Sequence, residues 1–146
     1  MKKKYYIDTC IWMDVLEPQT DPKHEYFAKT STSLFNHILK TQSEIVVSDI
    51  LIDELSQRFS DSQINDLFLI YFNLIDRVLT MREDRNRAVH LAQQLDMPKA
   101  DVLHCLLAKK TNSILVTRDK HFKKLNDIWP SYKPEELIKK RSGHRK

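Results

Sequence analysis

Short apolar runs rich in β-branched and aromatic residues alternate along this chain with longer stretches whose apolar residues recur every three or four positions. Tyr5-Tyr6-Ile7, Glu44-Ile45-Val46-Val47, Asp76-Arg77-Val78-Leu79-Thr80 and Ser113-Ile114-Leu115-Val116-Thr117 are the short runs, and they read as strands. Helical spacing predicts helices over 9–17, 23–41, 49–59, 61–74, 82–95 and 98–111. The last of these is apolar most of the way round, through Val102, Leu103, Cys105, Leu106, Leu107 and Ala108, as a helix buried against a sheet must be. An edge strand is predicted near Ile128-Trp129 and a short helix from Pro134 to about Lys140.

The alternation predicts an α/β fold: a three-layer α/β/α sandwich on a central parallel sheet of four to five strands. Right-handed crossovers then bring the carboxyl ends of all strands to one edge, where ligands bind in such sheets. Local punctuation agrees. Pro18 and Pro22 break the first helix from the second, Ser48 precedes the third as an N-cap, and Pro98 suits a first helical position.

With 146 residues, 41% hydrophobic and 30% charged, the chain has the size and balance of one globular domain. That domain is expected over 1–138, followed by a flexible basic tail over 139–146. The last eight residues carry five Lys or Arg and no acid, which leaves 19 basic against 20 acidic residues in the body. Charge alone therefore does not mark a nucleic-acid binder. No apolar run reaches the roughly 18 residues of a membrane span, and no signal-peptide core follows Lys2-Lys3-Lys4. Two cysteines, Cys10 and Cys105, fit reduced thiols in a cytoplasmic protein. The single glycine, Gly143, lies in the tail, which excludes phosphate-cradling glycine loops and the nucleotide cofactors they bind.

Four acids fall near the predicted carboxyl edge. Asp8 ends the first strand, Asp119 follows the fourth, Glu54 lies about two turns into the helix after the second, and Asp101 opens the buried helix. Each has an ordinary alternative: Asp8 as a helix cap, Asp101 at a helix N-terminus, Glu54 on a wet face, Asp119 in a turn. Together they point to a cation. A pair of carboxylates 4 Å apart costs about 4 kcal/mol at an effective dielectric of about 20, which a divalent ion relieves. An oxygen-only set without histidine or cysteine suits Mg²⁺ or Mn²⁺, and the chemistry that follows is phosphodiester hydrolysis by a metal-activated water. Zinc at Cys10, His104 and Cys105 is disfavoured, because adjacent helical residues diverge by about 100°. No segment pairs a nucleophile with an oriented histidine, and the third strand ends Val78-Leu79-Thr80, without the acceptor aspartate that a receiver or phosphatase domain would need there. Arg118 and Lys120 flank Asp119 as candidate phosphate contacts.

These residues resemble a known family. Tyr6-Ile7-Asp8-Thr9, Ser48-Asp49-Ile50-Leu51-Ile52-Asp53-Glu54-Leu55, Asp101-Val102-Leu103-His104-Cys105-Leu106-Leu107-Ala108, Ile114-Leu115-Val116-Thr117-Arg118-Asp119-Lys120-His121-Phe122 and Lys133-Pro134-Glu135-Glu136-Leu137 resemble, in order and spacing, the PIN-domain proteins that include the VapC ribonuclease toxins. The resemblance implies that Asp8, Glu54, Asp101 and Asp119 are both catalytic and metal-binding, around Mg²⁺ or Mn²⁺, with Thr9 and Thr117 orienting them. It further implies an endoribonuclease acting on RNA, an antitoxin protein partner and a homodimer. Cys10 departs from the asparagine common there. A non-catalytic PIN-like module that binds RNA or protein is the alternative, though such a module has no need of four converging acids.

Overall fold

The computed structural model describes residues 2–17 and 21–143, apart from the side chains of 139–143. A helix that begins at Pro134 runs on through residues 139–143 of the expected basic tail, while 144–146 fall outside the described residues, as does part of the break between the first two helices. Strands β1 (Lys4–Ile7), β2 (Glu44–Ser48), β3 (Ile75–Val78), β4 (Ile114–Val116) and β5 (Ser131–Tyr132) form one five-stranded parallel sheet in the order β3-β2-β1-β4-β5. The helices are α1 (Thr9–Leu16), α2 (Pro22–Thr41), α3 (Asp49–Ser56), α4 (Asp61–Ile70), α5 (Arg82–Leu95), α6 (Lys99–Lys110) and α7 (Pro134–Gly143). The predicted α/β/α architecture with its parallel sheet is the one observed.

The two-residue period of the strands divides the core in two. Tyr5 and Ile7 of β1, Ile45 and Val47 of β2, and Val116 of β4 face one layer, where Trp12, Phe35, Leu51 and Phe68 cover them. Tyr6, Val46 and Leu115 face the other, against Ala88, Leu103, Leu107 and Phe122. Register keeps these sets aligned, with Tyr6 beside Val46 on one side and Leu115 on the other. The sequence winds outward from β1 to β2 and β3, then crosses to β4 and β5. The direction therefore reverses between β1 and β4, and the crevice at their carboxyl ends is the switch point of the sheet.

The edge strand is Ser131–Tyr132, not Ile128-Trp129. The backbone N–H groups of Ile128 and Trp129 both donate to the carbonyl of Leu125, each at 2.9 Å, and the Trp129 indole donates to the carbonyl of Ser113 at 2.8 Å. Those two apolar residues close a turn against α6 instead of extending the sheet. The helix expected over 61–74 stops at Ile70, because Tyr71 leaves helical geometry (φ −108°, ψ 19°) and a 3-10 segment, Phe72–Leu74, leads into β3. Pro98 lies one residue before α6, in extended geometry, as its N-cap. No helix among the described residues is long and apolar enough to cross a membrane.

Candidate metal centre at the carboxyl edge

Asp8 ends β1 and is at once the N-cap of α1, where Oδ1 accepts the Thr9 N–H at 2.9 Å. Its other oxygen, Oδ2, accepts from the Thr117 hydroxyl at 2.8 Å and from the Cys10 thiol at 3.2 Å. The Thr117 Oγ1 also accepts the Asp119 N–H at 3.1 Å, so one hydroxyl couples the ends of β1 and β4. Capping and a position in the crevice are thus properties of one aspartate, not alternatives.

Glu54 lies on α3 and reaches back to the same crevice. Its Oε1 accepts from the Thr9 hydroxyl and from His104 Nε2, the latter at 2.8 Å, so both bonds fall on one oxygen. Asp101 stands in the first turn of α6. Its carboxyl is pushed up to about 6, first by burial and then by the charges of Asp8 and Asp119, with Glu54 adding and His104 opposing. Asp119 caps the 3-10 segment Lys120–Leu125, its Oδ1 accepting from the backbone N–H of His121 at 2.9 Å. The fold thus brings Asp8, Glu54 and Asp119 within electrostatic reach of Asp101.

His104 is the residue that sequence reasoning missed. It is 0% exposed, in the middle of α6, and both ring nitrogens are engaged: Nε2 with Glu54, and Nδ1 with the Tyr6 hydroxyl at 2.7 Å. Tyr6 Oη also lies 2.7 Å from Ser48 Oγ, which in turn accepts the Leu51 N–H at 3.2 Å as the cap of α3. With a neutral imidazole protonated on Nε2, Ser48 donates to Tyr6, Tyr6 to His104, and His104 to Glu54; with the imidazolium, His104 donates to both Glu54 and Tyr6, and Tyr6 donates to Ser48. Burial alone would lower the His104 pKa, but the Glu54 hydrogen bond and the charges of Asp8, Glu54 and Asp101 raise it above its ordinary value. Burial likewise opposes the ionised form of Glu54, yet the bonds from His104 and Thr9 and the His104 charge hold its carboxyl below the usual range. The signal available in the sequence was a polar side chain in an otherwise apolar helix, which must find a buried partner.

Donor atoms of Asp8, Glu54 and His104 lie within 4.8 Å of one another, a spacing that could hold a metal ion. His104 would have to give up Tyr6 or Glu54 to ligate it, so the groups that fit a cation are the carboxylates. That leaves Asp8 and Glu54 as an oxygen pair suited to a hard divalent ion, with the histidine holding Glu54, while Asp101 and Asp119 are not part of this close group.

Arg118, expected at phosphate, is enclosed in the fold. Its Nε lies 3.3 Å from Asp14 Oδ2 and its Nη1 bonds Glu135. Nη2 donates to Thr30 Oγ1 at 2.7 Å, to Ser31 Oγ at 3.0 Å and to the Phe27 carbonyl at 3.0 Å. The guanidinium also sits 4.2 Å from the centre of the Phe27 ring. With 11% of the side chain exposed, its charge is committed to joining α1, α2 and α7. Lys120 is exposed beside it. Burial raises the thiol pKa of Cys10 well above the usual range, which leaves it an inert neighbour of Asp8.

No curated protein matches the chain by sequence. Solved structures that share the fold include two assemblies. A toxin–antitoxin complex from Klebsiella pneumoniae gives a TM-score of 0.62 at 15% identity, over 89% of this chain and 97% of that one. VapBC2 from Rickettsia felis, bound to a DNA fragment from its promoter, gives 0.59 at 18% identity, over 83% and 92%. At these identities the likeness establishes the fold alone. The PIN domain family matches residues 5–128, the span that contains Asp8, Glu54, Asp101 and Asp119 as well as the switch-point crevice. The chain belongs to the PIN domain family.

Proposed function

We propose that this chain is a metal-dependent endoribonuclease, with Asp8, Glu54, Asp101 and Asp119 holding Mg²⁺ or Mn²⁺ at the switch point of the sheet. The observation that supports the reading is the coupling of Asp101 to Asp8, Asp119 and Glu54 at the carboxyl edge of the sheet, which adds to burial in pushing the Asp101 carboxyl up to about 6. Such a cluster is costly without a cation.

A bound divalent ion supplies a water nucleophile at neutral pH and charge neutralisation at the phosphoryl group. The chain's own residues prepare that site. Thr117 fixes one oxygen of Asp8, and Thr9 and His104 share Oε1 of Glu54 and so set the carboxylate plane. The Ser48–Tyr6–His104 series anchors that arrangement in the core. Lys120, exposed next to Asp119, is placed to meet a substrate phosphate.

RNA as substrate and the role of a toxin rest on the family and on the resemblance of the motifs to VapC toxins. A protein antitoxin is supported by one similar structure being a toxin–antitoxin complex. The test is cleavage of RNA with and without Mn²⁺ by the parent and by Asp101→Asn. We expect Mn²⁺-dependent cleavage that the variant loses while still folding. Equal cleavage by both, or none by the parent with Mn²⁺ bound, would overturn the reading and leave a binding module. The toxin role is tested separately by expressing the parent in bacteria, where growth arrest is expected and normal growth refutes it.

A further inference from the structure

The cleft beside Asp119 has features that the acidic centre does not use. It encloses about 340 Å³ and is lined by Thr117, Asp119, Lys120, Lys123, Tyr132 and Lys133, among others. We propose that this cleft is a subsite for one nucleotide of single-stranded RNA next to the cleaved bond. Lys120, Lys123 and Lys133 meet its phosphate and Tyr132 stacks its base. The proposal rests on the ribonuclease reading and deepens it.

Charge bookkeeping favours an anion there. Arg118, which also lines the cleft, is already matched by Asp14 and Glu135. Glu136 accepts the Lys133 N–H at 2.9 Å and so serves the start of α7. Asp119 belongs to the acidic centre. Among the described residues, Lys120, Lys123 and Lys133 enter no ion pair, as is true of several lysines elsewhere, but these three line one cleft. Set against the carboxylates of Asp119 and Glu136, three lysines without an ion-pair partner leave the lining with a net positive charge.

Size and lining argue for more than a phosphate. The volume lies at the lower end of the range for small-ligand sites, which suits a nucleotide unit. Tyr132 lies at the edge of the sheet with 39% of its surface exposed, although it is aromatic and its carbonyl is fixed by the Thr117 N–H at 2.9 Å. A ring held in place by its backbone and open on one side is a stacking platform for an unpaired base. Asn126 and Ser131 also line the cleft and offer donors and acceptors for base edges or a ribose hydroxyl. Continuity completes the case, since Thr117 and Asp119 belong both to this cleft and to the acidic centre.

The experiment measures binding of fluorescein-labelled hexauridylate to the full chain in EDTA, across a salt series, with Mn²⁺-dependent cleavage assayed separately. Tyr132→Ala should weaken binding about tenfold with the salt slope unchanged, and Tyr132→Phe should restore it. Each of Lys120→Ala, Lys123→Ala and Lys133→Ala should lower the slope of log affinity against log salt by about 0.7. Parental affinity and slope in all of these variants would overturn the subsite, and with cleavage intact they would leave the ribonuclease reading standing. Absence of hexauridylate binding by the parent also overturns it. Tyr132-dependent binding by a parent that cleaves nothing supports the subsite and removes the ribonuclease reading. Deoxythymidine hexamers held as tightly through the same side chains would overturn the assignment to RNA.

Discussion

The Thr117 hydroxyl donates to Asp8 Oδ2 across 2.8 Å, joining residues 109 positions apart at the ends of two neighbouring strands. A hydrogen bond to a buried ionised group contributes about 1.5–3 kcal/mol. Thr117→Val keeps the shape and removes the donor, so it should lower stability by roughly that amount. Orienting partners of metal ligands are commonly worth about 10–100-fold in metal affinity. Thermal melting and a Mn²⁺ titration of the same variant check both effects.

Asp8 caps α1 and is proposed to hold the metal, and two substitutions separate these roles. Asparagine caps a helix about as well as aspartate, whereas alanine gives up about 1 kcal/mol. Asp8→Asn should abolish Mn²⁺-dependent RNA cleavage at nearly parental stability. Asp8→Ala should abolish cleavage and also lower the melting temperature. Urea denaturation of the pair, read beside the cleavage assay, distinguishes the two roles.

The buried series from Ser48 to Glu54 passes through the Tyr6 hydroxyl. Tyr6→Phe leaves Ser48 and His104 Nδ1 without that partner in a fully buried place, at a cost of about 1–3 kcal/mol. Cleavage should fall with it, because His104 then no longer presents Nε2 to Glu54 from a fixed ring. Tyr5→Phe, on the opposite face of β1, is the control and should behave like the parent in both denaturation and cleavage.

Asp101 and Glu54 give opposite pH limbs. The folded Asp101 holds its proton up to about 6, above its ordinary value of 3.8, so folding is penalised as pH rises through that window. After allowance for solvent screening of a half-buried group, the penalty is about 1 kcal/mol. Glu54 is held below its ordinary value of 4.5, so its contribution is present above that pH and is lost as pH falls through its folded value. In EDTA, stability from these two groups should therefore be greatest between the ordinary values of 3.8 and 4.5 and decline from there toward pH 6. Asp101→Asn should remove the decline toward pH 7, and Mn²⁺ should raise the parent's melting temperature more at pH 7.5 than at pH 5.

Helix α5 ends at Asp96 in the left-handed region (φ 53°, ψ 59°), a conformation that suits glycine and places an acid at the negative end of a helix dipole. Asp96→Gly should stabilise the chain by about 1 kcal/mol, measured by urea denaturation, with cleavage unchanged.

The sequence revealed what is written in local patterns. Ile45-Val46-Val47 and Ile114-Leu115-Val116 announce strands because β-branched residues repeat there, and the apolar α6 announces a buried helix. Ser131–Tyr132 had no such pattern. Two residues become a strand only because β4 offers a free edge, which is a tertiary fact. The acids could be placed at the sheet edge from strand order. What they touch could not, because the partners of Glu54 lie 45 and 50 residues away on either side. Arg118 looked available for phosphate because its local neighbours are basic, whereas Asp14 and Glu135, which hold it, are remote in sequence.

That arginine also marks where the physical unit stops. The family match ends at residue 128, yet the guanidinium next to Asp119 is balanced by Glu135, beyond that limit. A version trimmed to the matched span would leave a half-compensated charge enclosed against Phe27 at the shoulder of the acidic crevice. Boundaries drawn by likeness and boundaries drawn by electrostatics differ here by strand β5 and the first turn of α7, and an excision experiment should respect the second.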